Sequence, residues 1–226
     1  MQAIPAASPN ADARPPGGRI DMLLLHYTGM PSGAAALARL RDPQAKVSAH
    51  YLVEEDGRIF ALVPEERRAW HAGHSNWAGH SDINGCSIGI ELVNPGHEFG
   101  YRAFPEAQMA ALVPLAQAII ARHPIPPGRV LGHADVAPAR KEDPGELFDW
   151  RRLASAGIGL WPPDGVTVAP AADDAAALAR LGYDVAGAGL AACAIAFQRH
   201  WQPGRLDGVL DDPARAVLAW LLEQTA

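Results

Sequence analysis

Apolar runs and alternating apolar positions predict four extended segments in the first 135 residues. Continuous apolar runs, typical of buried strands, occur in IDMLLLHY (20–27) and SIGIELV (87–93), and a shorter one in GRVLGH (128–133). The segment VSAHYLVEEDGRIFALV (47–63) carries turn residues at 55–57, which predicts a hairpin. These segments supply the strands of one sheet.

Helically spaced apolar residues lie between and after the predicted strands. They predict a helix within 33–43 that ends before Pro43. Further helices are predicted over 105–123 and over 148–157. The strands and helices do not alternate strictly, so a purely parallel βαβ sheet is not expected. The predicted fold class is α/β of the mixed α+β kind, with a central mixed β-sheet flanked by helices.

The remaining segments set the domain boundaries. Residues 1–19 are rich in proline, alanine and glycine and indicate an extended N-terminal lead-in before a domain spanning 20–158. The sequence GLWPPDG begins a linker over 159–170. Beyond it, amphipathic patterns predict three helices at about 171–182, 189–200 and 211–223, which make 171–226 a small helical domain.

Composition narrows the possible functions. Apolar residues make up 49% of the 226 residues, as expected of a folded protein, and a net charge of −6 argues against a nucleic-acid partner. Cys86 and Cys193 are too few for a disulfide framework or a cysteine-rich zinc site. The N-terminus has no signal-peptide pattern, and no run of about 20 apolar residues is present. We therefore expect a cytoplasmic protein, or a periplasmic one if the start is truncated.

One loop concentrates charge in a chain that is only 19% charged. The segment GHADVAPARKEDPG (132–145) follows a predicted strand, and two of its residues resemble metal ligands. His26 and His133 end predicted strands, and Asp143 can add a carboxylate oxygen. Two imidazoles and one carboxylate leave a fourth position open, which is the pattern of catalytic zinc. The alternative is a solvated turn with two structural histidines, and spacing alone favours that alternative.

Two further residues suggest proton transfer and charge stabilisation near such a metal. Glu91 lies in an apolar strand, where burial raises a carboxyl pKa and suits it to act as a general base. The strand alternation equally allows Glu91 to lie on a wet face. Lys141 lies two residues before Asp143, so both side chains share one side of an extended segment, where a cation stabilises an oxyanion. The alternative for Lys141 is the protein surface.

Five motifs in this order carry a family resemblance: LLLHYTG, SAHYLVEEDG, WHAG, SIGIELVNPG and GHADVAPARKEDPG. Over residues 20 to about 155, the chain resembles the zinc-dependent N-acetylmuramoyl-L-alanine amidases of the type 2 amidase family. That family also contains phage amidase lysozymes and peptidoglycan-recognition proteins. The resemblance implies one Zn²⁺ with His26, His133 and Asp143 as ligands. It further implies Glu91 as the catalytic carboxylate and Lys141 as the residue that stabilises the tetrahedral intermediate.

The third ligand bears on the branch of the family. The phage and recognition branches often carry cysteine at the position of Asp143. In having an aspartate there, this chain resembles the bacterial enzymes of the family. The ligand set and Glu91 are complete, so the resemblance implies an enzyme.

Other polar and aromatic residues near these motifs are candidates for substrate contact. His71, Trp70 and Asn84 are expected to line the substrate cleft, although His71 and Trp70 serve equally well to order their loop. His50 is expected to be structural. Asp135 either accepts a hydrogen bond from a ligand imidazole or caps the turn before Pro138.

The C-terminal segment resembles the three-helix peptidoglycan-binding domain of wall hydrolases, through AFQRHW and the later DGVLD. Together the resemblances imply hydrolysis of the amide between the N-acetylmuramoyl lactyl group and L-alanine. The substrate is expected to be anhydro-muropeptides in recycling, or polymeric peptidoglycan. A non-catalytic muropeptide-binding protein and a zinc peptidase acting on the stem peptide are the alternatives. No nucleic acid, membrane span or protein partner is indicated.

Overall fold

A computed structural model describes residues 3–169 and 173–225 of the chain. In this part of the chain, the strands are β1 (Ile4–Pro5), β2 (Ala11–Ala13), β3 (Met22–Tyr27), β4 (Tyr51–Val53), β5 (Ile59–Ala61), β6 (Arg67–Ala69), β7 (Ser87–Leu92) and β8 (Val130–Gly132). The helices up to residue 155 are α1 (Gly33–Arg41), α2 (Ile83–Cys86), α3 (Gly96–Phe99), α4 (Glu106–Arg122), α5 (His133–Val136) and α6 (Trp150–Ser155). The helices after the linker are α7 (Asp174–Leu181), α8 (Val185–Ala188), α9 (Leu190–Trp201) and α10 (Asp212–Gln224).

Six of these strands form one mixed sheet in the order β1-β5-β4-β7-β3-β8. The hairpin strands β4 and β5 are antiparallel, and the β4–β7, β7–β3 and β3–β8 pairs are parallel. The predicted mixed sheet and the predicted hairpin are thereby confirmed. The two longest strands, β3 and β7, lie side by side, and their carboxyl ends meet at one edge of the sheet.

The two faces of this sheet are covered differently. Residues of β3 and β7 that share one face, such as Leu23, Leu25 and Ile90, pack with residues of α4 and α6. Successive strand residues point to opposite faces, so His26 on β3 and Glu91 on β7 lie on the face away from α4. The side chains of His26 and Glu91 therefore lie on the same side of the sheet.

The N-terminal lead-in is bound to the rest of the molecule rather than free. Strand β1 pairs with β5, and β2 pairs with β6 in a separate two-stranded sheet. Arg14 anchors the segment because its guanidinium donates hydrogen bonds to the carbonyl oxygens of Glu65, Asn84, Gly85 and Ser87. The composition predicted an extended lead-in but did not indicate that it pairs with the body of the protein.

The C-terminal helices pack against the α/β part through a shared hydrophobic cluster. Met22, Leu24 and Leu131 of the sheet belong to the same buried cluster as Phe197 and Leu218 of the helices. Phe197 is fully buried in this cluster. None of the helices in the described ranges is long and apolar enough to cross a membrane.

Several local predictions need correction. The short helix α2 over Ile83–Cys86 was not predicted. The predicted strand 128–133 is a strand only over Val130–Gly132, and His133 begins α5. The fourth C-terminal helix, α8, was not predicted. The expected start of the first C-terminal helix at 171 lies outside the described residues.

Candidate active site

Two neighbouring parallel strands bring the predicted histidine ligands together. His26 is the fifth residue of β3, and His133 follows directly after β8, which pairs with β3 so that Leu25 lies opposite Gly132. The carboxyl ends of parallel strands meet at the same edge of a sheet, which places these two residues side by side. Asp143 reaches them from the following loop, whose backbone is tied to α5 by the hydrogen bond from Ala134 N–H to the Asp143 carbonyl.

Three side-chain atoms form a nearly equilateral triangle. The Nδ1 atoms of His26 and His133 are 3.0 Å apart, and Oδ2 of Asp143 lies 3.0 Å from the first and 3.1 Å from the second. All three residues are buried. An ion with bond lengths of about 2.0–2.2 Å, the range for zinc with nitrogen and oxygen, can touch all three atoms at once. Two imidazoles and one carboxylate are also a donor set that zinc accepts, so the residues fit this metal.

A chain of hydrogen bonds leaves Nδ1 of His26 without a proton. Ser87 Oγ donates to the Ile83 carbonyl and can therefore accept from Nε2–H of His71, 3.4 Å away. Nδ1 of His71 then accepts from Nε2–H of His26, at 3.0 Å. With its proton on Nε2, a neutral His26 presents the lone pair of Nδ1 toward Asp143 and His133, as a metal ligand must.

The tautomer of His133 is fixed more directly. Its Nε2 lies 2.9 Å from the carbonyl oxygen of Ala72, which can only accept a hydrogen bond. Nε2 therefore carries the proton, and Nδ1 is free to bind a metal. Arg140 also donates to the Ala72 carbonyl and to that of His74, which holds the WHAG segment against the 132–145 loop.

Burial and neighbouring charges keep the site in the protonation state that metal binding requires. Burial, together with the nearby His133, lowers the pKa of His26 to about 4. Burial also lowers the pKa of His71 well below its usual range. Burial alone would raise the pKa of Asp143, but the adjacent His133 and His26 outweigh it and hold that pKa below its ordinary range. At neutral pH His26 and His71 are thus neutral imidazoles and Asp143 is a carboxylate.

Glu91 faces the same cleft from the strand next to His26. His26 and Glu91 are register partners on β3 and β7. Within the described residues, Oε2 of Glu91 is buried and has no hydrogen-bond partner. Desolvation, reinforced by the negative charge of Asp143, raises the pKa of Glu91 well above its usual value, and Lys141 partly opposes the shift. A buried carboxyl with a raised pKa and an unused oxygen is suited to accept and return a proton.

The cleft in front of these residues has a volume of about 680 Å³ and is open to solvent. His26, His133, Asp143, Glu91 and Lys141 all line it. Its side walls come from distant parts of the chain. One wall includes Ala36, Arg39 and Leu40 of α1, and the other includes Ala192, Ile195 and Arg199 of α9.

The three residues predicted to contact substrate are placed differently from one another. Trp70 and His71 line the cleft, and His71 is also bonded to His26. Asn84 is not among the described residues that line the cleft. Its Oδ1 accepts hydrogen bonds from the backbone N–H groups of His71 and Ala72, so it orders the WHAG segment.

Packing against β7 holds the His71 ring in place. A Cβ atom built on Gly89 would approach the ring of His71 to 2.5 Å, so this ring rests directly on the backbone of the strand. His50 is structural, as expected, because its Nδ1 accepts the N–H of Gly89 at 2.9 Å. The burial of His50 lowers its pKa to about 3 and keeps it neutral.

Sequence reasoning missed the true partners of Asp135. This buried carboxylate accepts hydrogen bonds from the N–H of Gly132, from Tyr183 and from His200, and not from a ligand imidazole. Only the cap at the start of α5 could have been read from the sequence, because Tyr183 and His200 lie 48 and 65 residues further along the chain. Arg140, although exposed, donates a hydrogen bond to the WHAG segment, and no sequence pattern indicated this contact.

Comparison of the sequence with known proteins identifies one family and several relatives. Residues 16–146 match the family model described as N-acetylmuramoyl-L-alanine amidase. The N-acetylmuramoyl-L-alanine amidase AmiD of Escherichia coli (strain K12) is 41% identical over 91% of this chain and 83% of its own length. The 1,6-anhydro-N-acetylmuramyl-L-alanine amidase AmpD of Salmonella typhimurium (strain SL1344) is 36% identical over 68% of this chain and 89% of its own length.

Comparison of the structures extends the similarity to the C-terminal helices. AmiD from E. coli, solved with the substrate anhydro-N-acetylmuramic acid-L-Ala-D-gamma-Glu-L-Lys, superposes with a TM-score of 0.81 over 94% of this chain and 91% of that one. AmpDh3 from Pseudomonas aeruginosa, solved in complex with anhydromuramic pentapeptide, superposes with a TM-score of 0.82 at 37% identity. That superposition covers 92% of each chain.

Proposed function

Because this chain belongs to the N-acetylmuramoyl-L-alanine amidase family, we propose that it cleaves the amide between the lactyl group of N-acetylmuramic acid and L-alanine, with zinc as its metal. The observation that carries the proposal is the convergence of Nδ1 of His26, Nδ1 of His133 and Oδ2 of Asp143 beside Glu91 in one open cleft. The metal, its zinc identity and the roles of the individual residues are parts of this proposal.

Hydrogen bonds to neighbouring groups orient the two histidine ligands before the ion binds. The bonds to His71 and to the Ala72 carbonyl fix the ring orientations and tautomers of His26 and His133. When bound, zinc supplies a Lewis acid that polarises a carbonyl and makes water a usable nucleophile near neutral pH. The protein contributes a rigid and largely buried donor set, so little reorganisation is needed when the ion binds.

Glu91 moves the proton in this scheme. Its carboxylate accepts a proton from the attacking water and returns it to the departing nitrogen of L-alanine, which makes it base first and acid second. The raised pKa of its buried carboxyl allows it to hold the proton between the two steps. The unpartnered Oε2 in the described structure is available for this transfer.

Lys141 supplies positive charge to the same cleft. It lies two residues before Asp143 on the loop, and it is near enough to Glu91 to lower that residue's pKa. An ammonium group there stabilises the negative charge that develops on the lactyl carbonyl oxygen in the tetrahedral intermediate. Trp70 and His71 line the cleft beside the metal and are proposed to contact the muramoyl unit.

Soluble anhydro-muropeptides are the proposed substrate form. Both solved relatives described above hold anhydromuramic peptides, and AmpD carries a 1,6-anhydro substrate in its name. The C-terminal helices, which resemble a peptidoglycan-binding domain, favour the polymer as a second candidate. A binding module without activity would not need the complete set of His26, His133, Asp143 and Glu91.

The test offers zinc-loaded protein an anhydro-muropeptide and intact sacculi in parallel, with a chelated sample as the control. Mass spectrometry and end-group analysis identify the products. Release of peptides that begin with L-alanine, dependent on zinc, is the expected result. Cleavage elsewhere in the stem peptide would favour a zinc peptidase, and binding without any cleavage would favour a recognition protein.

A further inference from the structure

A buried carboxylate next to a metal ligand is held from the C-terminal helices. Asp135 is the third residue of α5, two positions after His133, and is 1% exposed. Its Oδ2 accepts the N–H of Gly132 at 2.8 Å, which closes the first turn of α5. Asp135 thereby connects the end of β8 to the helix that begins with His133.

Two donors from beyond the linker complete the environment of Asp135. The hydroxyl of Tyr183 donates to Oδ1 at 2.6 Å, and Nδ1–H of His200 donates to Oδ2 at 2.7 Å. Tyr183 and His200 are each 3% exposed. Short hydrogen bonds to a buried carboxylate are among the stronger polar contacts in proteins, and each is costly to break.

The orientation of His200 is fixed by aromatic stacking. Its ring lies between those of Trp150 on α6 and Trp201 on α9, with centroid distances of 3.7 Å and interplanar angles of 19° and 4°. The two stacks fix the plane of the ring, and the hydrogen bond from Nδ1–H to Asp135 fixes which edge of the ring faces the carboxylate. On the same helix, Nε of Arg199 lies 3.3 Å from Glu146, which provides a second connection from α9 to the loop that carries Asp143.

We propose that Asp135, Tyr183 and His200 are positioning residues for the metal centre. They hold α5, and with it His133, in the position that binding of the ion requires. The C-terminal segment would then support the metal site through Asp135, on the side of α5 away from the cleft, in addition to lining the cleft itself. This inference rests on the proposed zinc function.

The central variant is Tyr183→Phe, which removes one hydroxyl and keeps the buried ring. Its matched control is Tyr51→Phe, which also removes a tyrosine hydroxyl bonded to a carboxylate, here Glu65 at 2.6 Å. Tyr51 packs with the α4 side of the sheet, away from the ligands. His200→Phe, which retains an aromatic ring but no N–H, is the second test variant.

Three quantities are measured for each variant: the zinc dissociation constant by competition with a chelator, the kcat and KM on an anhydro-muropeptide, and the unfolding midpoint of the metal-free protein. We expect Tyr183→Phe and His200→Phe to weaken zinc binding by about tenfold, at the lower end of what outer hydrogen-bond partners of metal ligands contribute. Tyr51→Phe is expected to lower the unfolding midpoint without changing zinc affinity. Wild-type zinc affinity in both test variants would overturn the proposal, whatever their stability.

A measurement without zinc separates this inference from the proposed function. Hydrogen exchange of the amides of residues 132–136 in the metal-free protein is expected to speed up in Tyr183→Phe and to stay unchanged in Tyr51→Phe. Failure of the wild-type protein to bind zinc would count against the proposed function alone. Unchanged exchange in Tyr183→Phe would contradict the positioning role by itself.

Discussion

His26 and Glu91 lie directly opposite each other on the adjacent parallel strands β3 and β7. A proposed metal ligand and the proposed proton carrier are therefore held at one level of the sheet by its backbone hydrogen bonds. Their spacing is set by the most regular part of the fold and not by a loop. Rigid placement of this kind is what preorganised catalysis requires.

Replacing Glu91 should separate chemistry from metal binding. We expect Glu91→Gln to lower kcat by about 10²–10⁴-fold, the usual contribution of a general base, while zinc content stays at one ion per chain. Glu91→Ala should likewise abolish turnover and leave zinc bound. Metal analysis of the folded variants beside steady-state kinetics is the check, and loss of zinc from either variant would contradict the role assigned to Glu91.

Replacing Asp143 should have the opposite signature. Asp143→Asn keeps the shape of the side chain but removes the charge that faces two imidazoles, so we expect zinc affinity to fall by more than about 100-fold, beyond the effect of outer partners. Glu142→Gln, one residue earlier and more exposed, is the matched control and should bind zinc normally. Chelator competition measures both, and equal affinities would remove Asp143 from the ligand set.

Replacing Lys141 should affect the transition state more than the bound substrate. Lys141→Met removes the ammonium group and keeps most of the apolar stem, and we expect kcat to fall by about 10²–10³-fold with KM nearly unchanged. Arg140→Met, which loses hydrogen bonds to the WHAG segment, provides the comparison. An increase in KM alone for Lys141→Met would show that the lysine binds substrate without stabilising the intermediate.

Glu65 should make stability depend on pH. Burial opposes its ionisation, but hydrogen bonds from Arg122, Tyr51 and His123 outweigh burial and lower the pKa of Glu65 to about 2. A carboxyl with a lower pKa in the folded state stabilises the fold above its unfolded pKa of about 4.5 and loses that effect as pH falls toward 2. After allowance for solvent screening, we expect about 2 kcal/mol.

The measurement is urea unfolding of metal-free wild type and Glu65→Gln at pH 7 and at pH 2.5. The free-energy difference between the two proteins should be about 2 kcal/mol at pH 7 and should shrink at pH 2.5. A difference that is the same at both values would mean that the charge of Glu65 contributes nothing and that only its shape matters.

Strand periodicity predicted the positions of the two histidines, whereas their assignment as metal ligands came from the family resemblance, because spacing alone favoured structural histidines. An apolar run ending in a polar residue places His26 at the end of β3, and the same pattern places His133 just beyond β8. Glu91 was ambiguous because alternation gives its face of β7 but not what covers that face. In the structure Glu91 lines the open cleft, but its Oε2 atom is buried, and desolvation raises the pKa of the carboxyl.

Contacts between distant segments could not be predicted from the periodicity of apolar and polar residues. Asn84 reads as a polar loop residue, yet its role is to accept two backbone N–H groups from the WHAG segment. Two partners of Asp135, Tyr183 and His200, lie after the linker, and no local signal connects them to a carboxylate 48 and 65 residues earlier in the chain. Such pairings depend on how the helices dock and not on sequence periodicity.

Gly89 makes the proposed metal site depend on the absence of a single methyl group. The strand is extended at this position, so any residue could adopt its backbone conformation, yet the ring of His71 occupies the space that a side chain would fill. Even Gly89→Ala would push that ring outward and break its hydrogen bond to His26. The glycine of SIGIEL is thus a requirement of volume, because even one added methyl group there would displace the His71 imidazole that orients the proposed ligand His26.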